Sequence, residues 1–381
     1  MTEVVTLEKL QHLKDRICSL ENLYAAYFEA IKDKRYRDEI VRYTLDLDRN
    51  IFELREELLA ETYVVGPYRE FYVRYPKPRL VMALGFRDRI VQWAIYRQLN
   101  PYADKRFILH SYGCRKGKGT LAAAERLLDW LRLVCRKEDA ADWVIIKGDI
   151  SKYFYRVDHE ISMEIYEEYT DDSWFLWLMH TIINNPDVPF GLPIGMRADD
   201  CPREQRIFEV GMPIGNLTSQ ETANIYLNRL DQYVKHVLRQ HFYVRYMDDF
   251  IILCRREEAQ EILDTIEGFL FENLRLNISP KSRILPARQG CEFVGFMVTP
   301  HGLRLRKKTA KHIKSSLKHI AELYGQGAIS FDRALDTVRS YIGMTKHCNG
   351  YNMRRWIEDN IVFIRGGPSA AEGKIVYEQV A

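Results

Sequence analysis

The spacing of hydrophobic positions changes several times along the chain, and each change marks a new element. Between residues 5 and 62 apolar residues recur at helical intervals (Leu7, Leu10, Leu13, Ile17, Leu20) in a proline-free stretch rich in Leu, Glu, Lys, Arg and Ala. That pattern predicts two or three helices ending near Thr62. Tyr63-Val64-Val65 and Phe71-Tyr72-Val73 then read as strands, and the proline-rich run from Arg74 to Arg79 cannot be helical. Asp88 to Asn100 reads as a helix, His110 to Thr120 as a glycine-rich loop, Leu121 to Arg136 as a helix and Trp143 to Ile146 as a buried strand. Glu160 to Asn184 is helical, and Asn185 to Val210 is a long irregular connection. A long helix runs from Asn216 to about Gln240 and another from Glu257 to Leu274. Strands at Glu292 to Val298 and Leu303 to Arg306 precede a basic, mainly helical tail.

Two apolar strands, Phe242 to Tyr246 and Phe250 to Cys254, flank a turn that carries Asp248 and Asp249. Adjacent carboxylates repel each other, and strand walls that lower the local dielectric raise that cost unless a cation neutralises the pair. Aspartate is also a common residue of solvated turns, so these residues alone leave both readings open. Asp149 repeats the arrangement, since the strand at Trp143 to Ile146 delivers a single carboxylate at its end.

Composition narrows the class. With 381 residues, 46% hydrophobic and 29% charged, the chain has enough apolar surface for two or three packed units. Its seven cysteines (18, 114, 135, 201, 254, 291, 348) are scattered without a Cys-x-x-Cys pair, which argues against a disulfide framework or zinc ribbon and fits a reducing cytoplasm. Cys254 and Cys291, inside apolar strands, read as packing residues. There is no signal-peptide pattern and no apolar run of the roughly 18 residues that a membrane span requires. The net charge of +3 hides a division: residues 65–126 carry +9 and residues 301–381 carry +7, leaving −13 for the rest. Two basic blocks around an acidic remainder suit a protein that holds a polyanion and binds cations at its centre. In the glycine-rich loop, Arg115, Lys116 and Lys118 alternate with Gly113, Gly117 and Gly119, so the backbone can approach phosphate while the charges neutralise it. Gly191-Leu-Pro-Ile-Gly195 nearly duplicates Gly211-Met-Pro-Ile-Gly215, and only the second copy continues into Asn216-Leu217-Thr218-Ser219-Gln220.

Taken in order, these blocks resemble a reverse transcriptase. Tyr246-Met247-Asp248-Asp249 resembles the family's motif C, and Asp149 with Phe154 resembles motif A and its sugar-gating aromatic. Arg79 with Asp88-Arg89 and Gln92 resembles the fingers motif of intron-type enzymes, and Ser111 to Thr120 their second block. Lys281 stands where motif D places its lysine, and Phe293-Val294-Gly295-Phe296 is similar to the primer grip. The order holds across roughly residues 65 to 300, and six ordered blocks are far more specific than the acidic tetrad alone. Ile214-Gly215-Asn216-Leu217-Thr218-Ser219-Gln220 departs from the glutamine-led motif B of intron-type and retroviral relatives and resembles the variant of diversity-generating retroelements. Tyr341 to His347 with Tyr351 to Arg355 is similar to the thumb of that group.

The resemblance implies an α+β right-hand polymerase: a helical region at 1–62, fingers at 63–140, a palm at 141–300 with a small antiparallel sheet backed by helices, and a basic helical thumb at 301–381. It implies RNA-templated DNA synthesis by two Mg²⁺ ions, with Mn²⁺ able to substitute. Asp149 and Asp248 would bridge the ions, Asp249 would support them, and the Ile150 carbonyl would add a ligand. Arg79 with Arg74 or Lys77 would hold the triphosphate, and Lys281 would protonate pyrophosphate. Phe154, Ile214, Gly215 and Gln220 would form the nucleotide pocket; Arg115, Lys116, Lys118, Phe293 and Gly295 would touch nucleic acid. The implied partners are template RNA, a DNA or RNA primer, deoxynucleoside triphosphates and a small basic accessory protein, with no membrane. The finer expectation is error-prone cDNA synthesis from a template-repeat RNA for transfer into a variable gene. Retron, group II intron and antiphage reverse transcriptases are the alternatives, followed by a catalytically dead RNA-binding relative.

Overall fold

A computed structural model describes residues 8–73, 79–196 and 200–365. The helices are α1 (Leu13–Ile17), α2 (Leu20–Ala30), α3 (Asp38–Leu45), α4 (Leu47–Leu59), α5 (Phe86–Arg106), α6 (Thr120–Cys135), α7 (His159–Tyr169), α8 (Ser173–Ile183), α9 (Leu217–Gln232), α10 (Ala259–Leu274), α11 (Lys307–Gly325), α12 (Phe331–Lys346) and α13 (Tyr351–Asn360). The strands are β1 (Arg69–Val73), β2 (Arg79–Ala83), β3 (Trp143–Asp149), β4 (Phe242–Tyr246), β5 (Asp249–Arg255), β6 (Arg283–Pro286), β7 (Cys291–Phe293), β8 (Phe296–Thr299) and β9 (Gly302–Leu305). No helix of the described residues is long and apolar enough to cross a membrane.

The chain forms two compact units, each assembled from three stretches: residues 1–115, 148–241 and 261–282 in one, and 116–147, 242–260 and 283–381 in the other. The first unit is mostly helical. Ile90, Val91, Ala94, Ile95 and Leu99 on one side of α5 are fully buried, and α2 packs there through Leu23, Ala26 and Tyr27. Helix α9 also packs on α5 and buries polar as well as apolar residues. Those polar groups find partners, as burial demands: Thr222 meets the Tyr166 hydroxyl at 2.7 Å, and Asn224 donates to the Gly113 carbonyl at 2.7 Å.

The second unit is built on a four-stranded sheet in the order β4-β5-β3-β6, with α6 packed on it. Its two central strands, β5 and β3, are near-continuous apolar runs (Phe250 to Leu253; Val144, Ile145, Ile146). Only the last two residues of β3, Gly148 and Asp149, belong to the first unit. A three-stranded sheet, β7-β8-β9, and helices α11 to α13 complete the unit, the helices closing around Ile313, Leu317, Val338, Met353, Ile357 and Ile361.

Three expectations need correction. The N-terminal stretch makes four helices rather than two or three, because Asp46 ends α3 and serves as the N-cap of α4. Tyr63 to Val65 forms no strand; the Tyr63 hydroxyl and Gly66 N–H are both held by Asp88, which draws the segment out of any ladder. Glu292 to Val298 is two strands, not one. Val294 (φ +41°) and Gly295 (φ +97°) form a two-residue turn between paired Phe293 and Phe296, the positive-φ geometry that suits the twist of a hairpin.

Candidate active site

In the second unit Tyr246 pairs with Asp249, so Met247 and Asp248 form a two-residue hairpin turn. Met247 adopts φ +55°, a left-handed conformation that a residue with a Cβ takes at some cost. Beneath it Arg245 is completely buried (0% exposed), and its Nη1 donates to the Met247 carbonyl at 3.0 Å. A guanidinium is thus spent inside an apolar strand on holding the turn that presents Asp248. No motif sets Arg245 apart; a lone cation inside a run of Tyr, Val and aromatic residues is its signal in the sequence. Asp248 and Asp249 are half-buried. Cys254 and Cys291 are buried free thiols, each pushed up to about 12 by desolvation, which fits packing rather than reactivity.

Asp149 lies in the first unit, where its backbone is gripped by the loop after α10. The Ser279 N–H donates to its carbonyl at 2.7 Å, and its own N–H donates to Ser282 Oγ at 3.1 Å. Ile150 bridges to Ile278, and the Ser151 N–H donates to the Asn277 carbonyl at 2.9 Å. Lys281 sits exposed in the same loop, its N–H on Ser279 Oγ at 3.3 Å, so this unit brings Asp149 and Lys281 together. Half-buried Phe154 lies in the one-turn helix that follows; its carbonyl accepts the Met212 N–H at 2.6 Å. Tyr153 next to it is buried and donates to the Ala223 carbonyl of α9 at 2.6 Å.

Ile214 and Gly215 lie against β2, the strand that begins at exposed Arg79. The Met82 N–H donates to the Ile214 carbonyl at 2.9 Å. Gly215 has φ +125°, and a Cβ there would meet Val81 Cγ1 at 3.0 Å. Helix α9 starts from this turn with an unusual cap: Asn216 turns its amide to the Tyr68 hydroxyl (3.2 Å), while Gln92 Oε1 of α5 accepts the Leu217 N–H at 2.9 Å. Arg79, Ile214, Gly215 and the start of α9 therefore form one hydrogen-bonded piece. Gln220 is half-buried, with the Cys114 thiol 3.5 Å from its Oε1. Beside it, Glu221 is buried with both oxygens on the Asn100 amide (3.2 and 3.1 Å), and desolvation raises its pKa to about 7. No sequence signal set Glu221 apart. Arg74 and Lys77 lie outside the described residues.

The glycine-rich loop divides its charges. Arg115 faces inward with 7% of its side chain exposed: Nε donates to Asp104 Oδ1 at 2.5 Å, Nη1 to the Ile108 and Ser111 carbonyls, and Nη2 to the Asp104 carbonyl. Nearly all its donors are used within the first unit, where the guanidinium braces the loop. Lys116 is exposed and Lys118 half-buried, and the positive φ of Gly117 (+74°) and Gly119 (+134°) accounts for the glycines there. At the other predicted nucleic-acid contact, Phe293 is buried and Gly295 is half-exposed at the turn tip.

Among the described residues no three His, Cys, Asp or Glu side chains gather as a ready-made metal cage. Magnesium takes only one or two carboxylates and completes its shell with phosphate and water.

A reverse transcriptase (RNA-dependent DNA polymerase) family model matches residues 75–298, more than half of the chain, so the chain belongs to that family and is an RNA-directed DNA polymerase. Within the family it is 28% identical over 282 residues to protein YkfC of Escherichia coli, covering 64% of this chain and 69% of that protein. It is 23% identical over 273 residues to a putative COX1/OXI3 intron 2 protein of Saccharomyces cerevisiae, covering 56% of this chain but only 30% of the yeast protein. Among solved structures, telomerase from Candida albicans in complex with a telomeric RNA fragment aligns with a TM-score of 0.40 at 11% identity, covering 70% of this chain and 52% of that one.

Proposed function

We propose that Asp149, Asp248 and Asp249 are the acidic centre of this polymerase, with the Ile150 carbonyl as a further ligand. The observation that carries the assignment is topological: β5, which begins at Asp249, neighbours β3, which runs out to Asp149. Carboxylate and carbonyl oxygens are the donors a hard cation prefers, so the residues fit two magnesium ions. Bound there, the ions would lower the pKa of the primer 3′-hydroxyl and offset the charge on the leaving pyrophosphate. The chain's own residues orient the reactants. Arg79, together with Arg74 or Lys77, presents cations to the triphosphate. Phe154 closes the space beside the sugar, and Lys281, tethered through Ser279 to the Asp149 backbone, donates the proton to pyrophosphate. Fingers, palm and thumb follow the divisions given above, with Lys116, Lys118, Phe293 and Gly295 along the path of the nucleic acid.

The finer proposal is a diversity-generating retroelement enzyme that copies a template-repeat RNA with errors concentrated at template adenines and works in the cytoplasm with a small basic accessory protein. The motif B variant Ile214 to Gln220 supports it. A mobile-intron enzyme is the second reading, favoured by the similarity to the yeast intron protein. Extension of a primer on an RNA template with Mg²⁺, followed by sequencing of the cDNA, decides between them. Misincorporation concentrated opposite adenine supports the retroelement reading, and a uniformly low error rate contradicts it.

A further inference from the structure

Within the second unit, at the end of the four-stranded sheet away from the acidic turn, three arginines meet with no acid between them. Helix α6 ends at Cys135 and the chain reverses through Ala140–Asp142 into β3. The one-turn helix Ala287–Gln289 follows β6 and packs on both α6 and Ala140–Asp142. Arg132 and Arg136, one helical turn apart, and Arg288 face a depression of about 370 Å³ lined also by Cys135, Pro300 and His301. Arg132 is oriented by a bond from its Nε to the Pro300 carbonyl at 3.4 Å. Arg288 lies close enough to Cys135 to oppose the desolvation that raises that thiol.

Three of the carboxylates nearby in the chain are engaged elsewhere. Asp129 pairs with Arg126 at 4.0 Å, Asp139 with Arg255, and Glu292 with Arg306 at 3.8 Å. None of the three guanidiniums has a carboxylate partner among the described residues. Like charges around a shared hollow repel, and an anion bound there reverses the sign of that interaction. Guanidinium forks match phosphate oxygens in pairs, a geometry an ammonium cannot reproduce. The seven residues of β5 span the distance from the acidic turn to this end of the sheet, roughly 20 Å. A phosphate held here therefore belongs to nucleic acid beyond the nucleotides being joined.

We propose that the Arg132–Arg136–Arg288 depression is a phosphate-binding site for the part of the RNA that lies outside the copied segment. The template RNA is a long polyanion that the family's reaction requires, and only a few of its nucleotides are being read at any moment. The proposal rests on the reading of the chain as an RNA-copying enzyme.

The test uses the full chain and an Arg132→Gln/Arg136→Gln/Arg288→Gln variant. Binding is measured across a potassium chloride series to a primed RNA with a long unpaired extension and to the same primed RNA trimmed to the copied segment. Affinity for the extended RNA should fall about tenfold and its log–log salt dependence should flatten by about 2, while binding and extension on the trimmed substrate stay unchanged. Arg288→Gln alone should move the slope in the same direction by about 0.7, which keeps the test open if the triple variant folds poorly. Unchanged affinity and slope on extended RNA would overturn the proposal, as would an equal loss on both substrates or a site that binds inorganic phosphate without favouring extended RNA. Asp248→Asn, run in parallel, separates the two ideas: extension that survives it sinks the active-site reading, whereas the extended-RNA comparison depends only on binding.

Discussion

The two glycine-proline repeats share a pattern and differ in what surrounds them. Both lie in the first unit, and both brace the segment that carries Phe154. From the first copy the Leu192 N–H donates to the Tyr155 carbonyl and the Leu192 carbonyl accepts from Arg156 Nη1 at 2.9 Å; from the second, the Gly211 N–H reaches the Val157 carbonyl at 2.7 Å. Beyond that they diverge. Ile194 of the first copy is 83% exposed, and a Cβ on Gly195 (φ +83°) would meet nothing within 4 Å. In the second copy the Ile214 carbonyl is bonded to β2, Gly215 is pressed against Val81, and α9 starts at once under a cap from Gln92. Gly211 is packed so closely on Gly191 that a Cβ would come within 2.7 Å of its nitrogen, and His159 Nε2 lies 2.7 Å from the Gly211 carbonyl. A short string thus acquires its role from its tertiary neighbours, and an open loop and a packed turn can be written almost identically.

That contrast can be broken by substitution. Gly215→Ala forces a side chain into a positive-φ turn and against Val81, shifting the Ile214 turn relative to Arg79; primer extension should fall about a hundredfold, the scale on which small displacements of positioning groups act. Gly195→Ala also strains a positive-φ backbone (φ +83°) but meets no neighbouring atom, so extension should stay within about twofold of the parent. A comparable loss in both would mean that the copies are equivalent. Gly211→Ala should lower stability by roughly 2–4 kcal/mol in urea melts, because the added methyl meets backbone on the facing strand of chain.

Glu221 offers a smaller, pH-resolved effect on the helix that follows the second copy. Its pKa is raised in the folded chain, so the native state holds the proton more tightly than the unfolded state does. Its contribution is present below the ordinary carboxylate range and is lost as pH rises toward about 7. Glu221→Gln should therefore raise stability at pH 8, by of the order of 3 kcal/mol, and do little at pH 4. A pH-independent difference between the two proteins in thermal melts contradicts this. Smallest of all, if Ile214 lines the nucleotide pocket as proposed, Ile214→Gln adds a hydrogen-bonding group there worth about 0.5–1.5 kcal/mol and should cut misincorporation roughly two- to tenfold without abolishing synthesis. Identical error spectra from both proteins would leave Ile214 a packing residue.

What could be read in advance follows the range of the interactions involved. The acidic hairpin, the strand ending at Asp149 and the glycine-rich loop are local patterns, and the chain forms each where its residues imply. The strand break at Val294-Gly295 was harder to see: a β-branched residue at positive φ runs against its own preference and is held by Phe293 pairing with Phe296. The inward bonds of Arg115 are not legible in the sequence, because only tertiary structure brings Asp104 and the Ile108 and Ser111 carbonyls around its guanidinium. Glu221 carries no local signal for the same reason, since burial of a charged residue cannot be read from its type, whereas Arg245 stands out as a lone cation within an apolar strand. The grip of Ser279 and Ser282 on Asp149 joins residues more than a hundred positions apart, beyond any local pattern.

The acidic centre is tested most directly by primer extension on an RNA template with Mg²⁺, comparing the parent with Asp149→Asn and Asp248→Asn, and with RNA binding and thermal melting measured on the same preparations. Each variant should lose extension by at least about a thousandfold while retaining RNA affinity and fold, because under the proposed assignment the carboxylates hold cations rather than the core. Extension at the parental rate by either protein would contradict the assignment.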